Sequence, residues 1–135
     1  MDNILTLLNF DYTEKNISGL NNELKSLFLL GLLKNTNKSI LIVTNTLYEA
    51  NTLYKNISKD YTDTYLFPMD DFLTSVAIAV SPELKVNRLE TLNKLLENKK
   101  SIIITNLMGY LRFLPTKEIF DKNIIKINRD RKSVV

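Results

Sequence analysis

The chain is built of apolar blocks whose spacing changes from helical periodicity to continuous runs and back. Ile4, Leu7 and Leu8 fall at helical spacing within the cluster Ile4 to Phe10, and Asp2 or Asn3 can cap it, so a short helix is expected there. After the polar stretch Asp11 to Ser18, apolar residues recur at Leu20, Leu24, Leu27, Phe28 and Leu32, with more leucines between them. This predicts a mostly buried helix running to about Leu33, with Ser18 as its cap. Ser39-Ile40-Leu41-Ile42-Val43-Thr44 then puts apolar residues on both sides of the pleat, the pattern of a strand covered on both faces in a parallel sheet.

Leu47, Ala50, Leu53, Tyr54 and Ile57 restore helical spacing, with Asn45 or Thr46 placed to cap. Thr64-Tyr65-Leu66-Phe67 reads as a second strand stopped by Pro68, and the stretch from Asp70 to Val80 carries no decisive period. Ser81-Pro82-Glu83 is a helix start: serine can accept from a free amide, proline suits the first turn, and glutamate complements the helix dipole. Leu84, Arg88, Leu89, Leu92, Leu95 and Leu96 carry one face of that helix to a stop at Asn98-Lys99-Lys100. Ser101 to Thr105 is a third strand, followed by a helical turn from Asn106 to about Phe113 that Leu114-Pro115 ends. A strand-like run covers Asn123 to Asn128. Helices alternating with buried strands predict an α/β fold: a three-layer parallel sheet with helices on both faces and right-handed crossovers. Periodicity fades from Pro115 to Lys122, so residues 1–120 are expected to form one unit, and 121–135 the start of a following subdomain or a tail.

Composition narrows the chemistry. With 135 residues, 44% hydrophobic and 24% charged, the chain fits one globular domain, and three glycines with three prolines favour long elements and short connections. No apolar run is long enough to span a membrane and no cationic start precedes an apolar stretch, so a cytoplasmic location without membrane contact is expected. Absence of cysteine removes disulfides and thiolate chemistry, and absence of histidine removes the usual neutral-pH base and metal ligand. Neither a catalytic centre nor a metal site is expected. A formal charge of +3 is too small to imply nucleic-acid binding through the overall field. Only the tail is biased, where Lys122, Lys126, Arg129, Arg131 and Lys132 face Asp130 alone; a solvated end or contact with phosphate or an acidic partner both fit it.

Ligands in open α/β sheets sit beyond the carboxyl ends of the strands, here the loops after Thr44, Phe67 and Thr105. Gly19-Leu20-Asn21-Asn22-Glu23-Leu24-Lys25-Ser26 has the spacing of a phosphate loop, with Gly19, Lys25 and Ser26 at the first, seventh and eighth positions. Leu24 stands where the second glycine lets backbone approach phosphate, and Glu23 adds a negative charge beside it. The loop is therefore degenerate, and no bound cofactor is expected. Asp70-Asp71 would point apart in extended chain, so a solvated turn or a salt bridge to a basic residue such as Arg88 is expected rather than a magnesium site. Arg88 interrupts an apolar helix face, where its stem can pack while its guanidinium pairs. Gly109, Tyr110 and Arg112 could line a groove, with Tyr110, Phe113 and Leu114 expected to pack. Asp71, Arg88 and Arg112 are thus the candidate structural or interface residues.

Four ordered blocks carry a family resemblance: Ile40 to Ala50, Phe67 to Leu73, Ser81 to Leu84 with Arg88 and Leu89, and Asn106 to Pro115. Over Ile40 to Phe120 the chain resembles the N-terminal region of bacterial transcription-repair coupling factor, Mfd, itself related to the excision-repair protein UvrB. The resemblance implies a fold like the first subdomain of UvrB, of the phosphate-loop NTPase class, with a degenerate nucleotide site where Gly19 to Ser26 lies. It further implies a whole protein that uses ATP and magnesium in a downstream motor to translocate on DNA and displace stalled RNA polymerase. That protein recruits UvrA mainly through the following subdomain. This piece would then act as an interaction and scaffold domain, without catalysis, against other domains of the same protein. The alternative is an ATP-binding piece of a helicase-like motor completed by a partner domain. Unlike UvrB, the chain has no long aromatic-rich hairpin after the second strand, Phe72 being the aromatic residue between Pro68 and Val80, so direct gripping of damaged DNA is not expected.

Overall fold

A computed structural model describes residues 16–71 and 81–124. The expected helix at Ile4 to Phe10, Phe72 to Val80, the basic tail beyond Lys122 and all but the first two residues of the Asn123 to Asn128 run lie outside them. The described elements are α1 (Asn22–Asn35), β1 (Ile40–Thr44), α2 (Leu47–Ile57), β2 (Thr64–Phe67), α3 (Pro82–Leu95), β3 (Ile102–Asn106), α4 (Leu107–Tyr110) and α5 (Lys117–Lys122). The strands form one parallel sheet in the order β1-β3-β2, flanked by helices.

Register explains the core. Ile42, Ile104 and Leu66 stand in one row across the three strands, and Ile40 and Ile102 in the row beside it. This face packs on Leu33 of α1 and on Ala50, Leu53 and Ile57 of α2. Ile57, Ile102 and Ile104 are fully buried, each such side chain contributing roughly 1.5–3 kcal/mol of hydrophobic stabilisation. The opposite face of β1 departs from expectation, because Leu41 is 54% and Val43 42% exposed. An unbroken apolar run marks a strand but not its place in the sheet, and β1 lies at the edge.

Helix starts also differ from the sequence reading. Asn21, not Ser18, caps α1, its side chain accepting from the Leu24 amide at 2.9 Å. Thr46 caps α2 as expected, accepting from the Glu49 amide. Ser81 sits at the cap position of α3 without a side-chain bond, and α3 is tied instead through Thr91, whose hydroxyl donates to the Leu66 carbonyl at 2.6 Å. Leu89 and Leu95, expected on the packed face of α3, are 57% and 39% exposed. The short helix α5, capped by Thr116, forms where the apolar periodicity fades and runs through residues 120 and 121.

Candidate functional site

The phosphate-loop-like segment is mostly helix. Gly19 takes a left-handed φ of +81°, but α1 begins at Asn22, so Leu24, Lys25 and Ser26 already lie in its first turns. Asparagine at the cap closes this turn: its side chain takes the Leu24 amide and its carbonyl takes the Lys25 amide at 2.9 Å. Those amides, which a phosphate loop would turn toward an anion, are spent inside the helix. The Ser26 hydroxyl donates to the Asn22 carbonyl at 2.9 Å and is buried, so it does not face a site where it could ligate magnesium. Lys25 remains exposed and lines a cleft of about 310 Å³ together with Asn22, Thr44, Asn45 and Glu49. These residues do not reproduce the donor set of a magnesium-nucleotide site.

At the carboxyl edge of the sheet the chain's own carboxylates hold the start of α2. The Asp71 carboxylate accepts from the Leu47 amide through both oxygens, at 2.9 and 3.0 Å. Glu49 accepts from the Asn45 amide at 3.2 Å while its own amide bonds to Thr46, so the first turn is bracketed reciprocally. A helix start is where an anion would otherwise be drawn. Here Asp71 and Glu49 sit there and would repel a phosphate.

Asn106 organises this edge, and sequence reasoning did not single it out. It ends β3 with its side chain fully buried, accepting from the Met69 amide at 3.0 Å and donating to the Met69 carbonyl at 2.7 Å and to Asp71 at 2.8 Å. One amide thus fixes the chain leaving β2 and orients the carboxylate that caps α2. The only sequence signal was an asparagine closing an apolar strand just before a helical turn. Gly109, one turn on, lets α4 press onto the same edge: a Cβ there would overlap Thr105 Oγ1 and stand 3.0 Å from the Phe67 carbonyl.

The salt bridge considered for Asp70-Asp71 with Arg88 gives way to two separate contacts. Asp71 caps α2, and Arg88 donates from Nη1 to the Pro68 carbonyl at 2.9 Å. Capping wins because Leu47 and Asn106 offer Asp71 three short bonds from one position. Partial burial, then the nearby positive charge of Arg112, push the Arg88 guanidinium below its ordinary pKa, and Asp70 partly offsets them. Arg88 and Arg112 thus share one cleft, with Lys85 beside them. Tyr110, Phe113 and Leu114, expected to pack, are 58%, 100% and 52% exposed. Among the described residues no group of three or more acidic or histidine side chains is placed to hold a metal, and no helix is long and apolar enough to cross a membrane.

A transcription-repair-coupling factor of Bacillus subtilis (strain 168) is 27% identical over 121 residues, covering 87% of this chain. One from Staphylococcus haemolyticus (strain JCSC1435) is 29% identical over 113 residues and 82% of the chain, and one from Staphylococcus aureus (strain MRSA252) 28% over 109 residues and 79%. Over most of its length this chain is homologous to the transcription-repair-coupling factors. The chain spans about a tenth of the length of these relatives, 10% of the first two and 9% of the third. No profile of a known protein family matches it, and no solved structure matches significantly. The blocks that carried the resemblance to transcription-repair coupling factors occupy definite places in the fold. Ile40 to Ala50 forms β1 and the capped start of α2, Phe67 to Asp71 supplies the capping carboxylate, and Asn106 to Gly109 closes the network on both.

Proposed function

We propose that this chain is a non-catalytic docking and scaffold module, UvrB-like in fold, within a transcription-repair coupling factor. The observation that carries the reading is the closed first turn of α1: the lysine of the phosphate-loop pattern is present, but the Ser26 hydroxyl and the Leu24 amide are committed to the helix itself. Glu49 supports it by placing a carboxylate in the same cleft as Lys25, and Asp71 by occupying the start of α2 with a second one. In this reading ATP and magnesium are used by a motor elsewhere in the protein, which translocates on DNA and displaces stalled RNA polymerase. UvrA is recruited mainly through the neighbouring subdomain, for which this module is the rigid support.

A second reading has one observation in its favour: Lys25 is exposed on a cleft of about 310 Å³, so a partner domain could complete a nucleotide site there. Lys25→Ala in the full-length protein separates the two. The docking reading expects DNA-stimulated ATP hydrolysis to stay within about twofold of wild type, since uniform loss of a lysine outside the motor removes no transition-state contact. Loss of hydrolysis by a hundredfold or more, with DNA binding intact, would replace the docking reading with the second one.

A further inference from the structure

Between α3 and residues 112–120 lie two clefts, of about 230 and 250 Å³, that share Leu92 and Leu114 as a common wall. Lys85, Arg88 and Arg112 line the first, whereas Leu95, Leu96 and Phe120 line the second. They join into one groove along α3 that carries three cations toward the start of the helix and is mostly apolar toward its end, where Lys117 and Asn98 are the polar lining residues. No carboxylate lines either cleft among the described residues. Phe113 is fully exposed at the cationic end, and Leu89 is 57% exposed beside it. Exposed apolar side chains clustered with cations around a concavity are the composition of a recognition surface rather than of a solvated face.

The geometry points to this groove as a docking site for an acidic segment of another protein, with carboxylates at Lys85, Arg88 and Arg112 and bulky apolar side chains toward Leu96 and Phe120. Charge complementarity is the first argument: guanidiniums have five donors each, and the Pro68 carbonyl takes a single one from Arg88. A carboxylate placed between Arg88 and Arg112 would also relieve their mutual repulsion. Spacing is the second. From Lys85 to Leu96 a helix rises ~16 Å, the reach of ~5 residues of extended chain, so carboxylates and apolar anchors must stand a few residues apart. Nucleic acid fits less well: Phe113 offers one stacking surface, but Leu92 and Leu114, which wall both clefts, offer base edges no hydrogen bonds, and α3 also carries Glu83 and Glu90.

The groove extends the docking reading but does not need it. The test is fluorescence anisotropy of a labelled octapeptide, Glu-Asp-Glu-Gly-Gly-Leu-Leu-Phe, titrated with the 135-residue chain. Saturable binding is expected, weakened at least tenfold when Gln-Asn-Gln replaces the acidic residues, at least tenfold by Arg112→Glu, and at least threefold by Phe113→Ser. Both substitutions fall on exposed side chains, so unchanged melting temperatures will show that the fold is intact. No binding by wild type, equal affinity for the Gln-Asn-Gln peptide or for Arg112→Glu, or displacement of the peptide by a dodecamer of thymidine would overturn the proposal. Such a failure removes the groove alone, whereas the docking reading of the module falls to nucleotide binding at Lys25.

Discussion

Asn106→Ala is expected to lower the unfolding free energy by roughly 3 kcal/mol, since leaving each buried partner unsatisfied costs about 1–3 kcal/mol. The side chain is fully buried, and its loss strands the amide and carbonyl of Met69, itself 9% exposed. It also removes the donor that orients Asp71 on the start of α2. The measurement is the urea midpoint at unchanged slope, which separates a stability change from a change in the exposed surface. Asn106→Asp should be worse at neutral pH, because a carboxylate would face both the Met69 carbonyl and the Asp71 carboxylate. A loss below about 0.5 kcal/mol, the level of ordinary surface substitutions, would show that the carboxyl edge is held by something other than this network.

Gly109→Ala is expected to cost about 2 kcal/mol, within the range for overpacking a close contact. Its Cβ would overlap Thr105 Oγ1 and lie 3.2 Å from Asn106 Oδ1. Thr105 cannot turn away freely, because its hydroxyl donates to the Phe67 carbonyl at 2.7 Å. The clash should therefore be coupled to that hydroxyl. Thermal or urea unfolding of Gly109→Ala combined with Thr105→Ala should show a cost about 1 kcal/mol below the sum of the single changes, in the range seen for residues in contact. Strict additivity would mean that α4 moves away from the sheet instead of pressing on it.

Sequence reading passed over Asn106 and took Gly109 as a possible groove residue and not as a close contact with the sheet, and the reason is physical. Continuous apolar runs placed all three strands within a residue, since buried parallel strands have few other ways to look. The same runs could not show that β1 lies at the sheet edge, with Leu41 and Val43 uncovered, because edge position is decided by pairing and not by composition. Of the two cap candidates at α2, Asn45 and Thr46, the second caps, whereas at α1 Ser18 was expected and Asn21, three residues on, takes the role. Asp71 was read with its neighbour Asp70, whereas its true partners are 24 and 35 residues away. At α5 six residues were too few for periodicity to register. The leucine in the phosphate-loop pattern was visible at once. What the sequence could not convey is how the pattern fails: the helix starts before the lysine, and the serine closes on its own turn.

The measurement that bears most directly on the account is calorimetric titration of the chain with magnesium-ATP, alongside Lys25→Ala. With the Leu24 and Lys25 amides and Ser26 committed internally and Asp71 and Glu49 at the start of α2, no saturable heat is expected at micromolar nucleotide, and wild type and variant should give the same trace. Saturable binding at micromolar affinity that Lys25→Ala abolishes would contradict it.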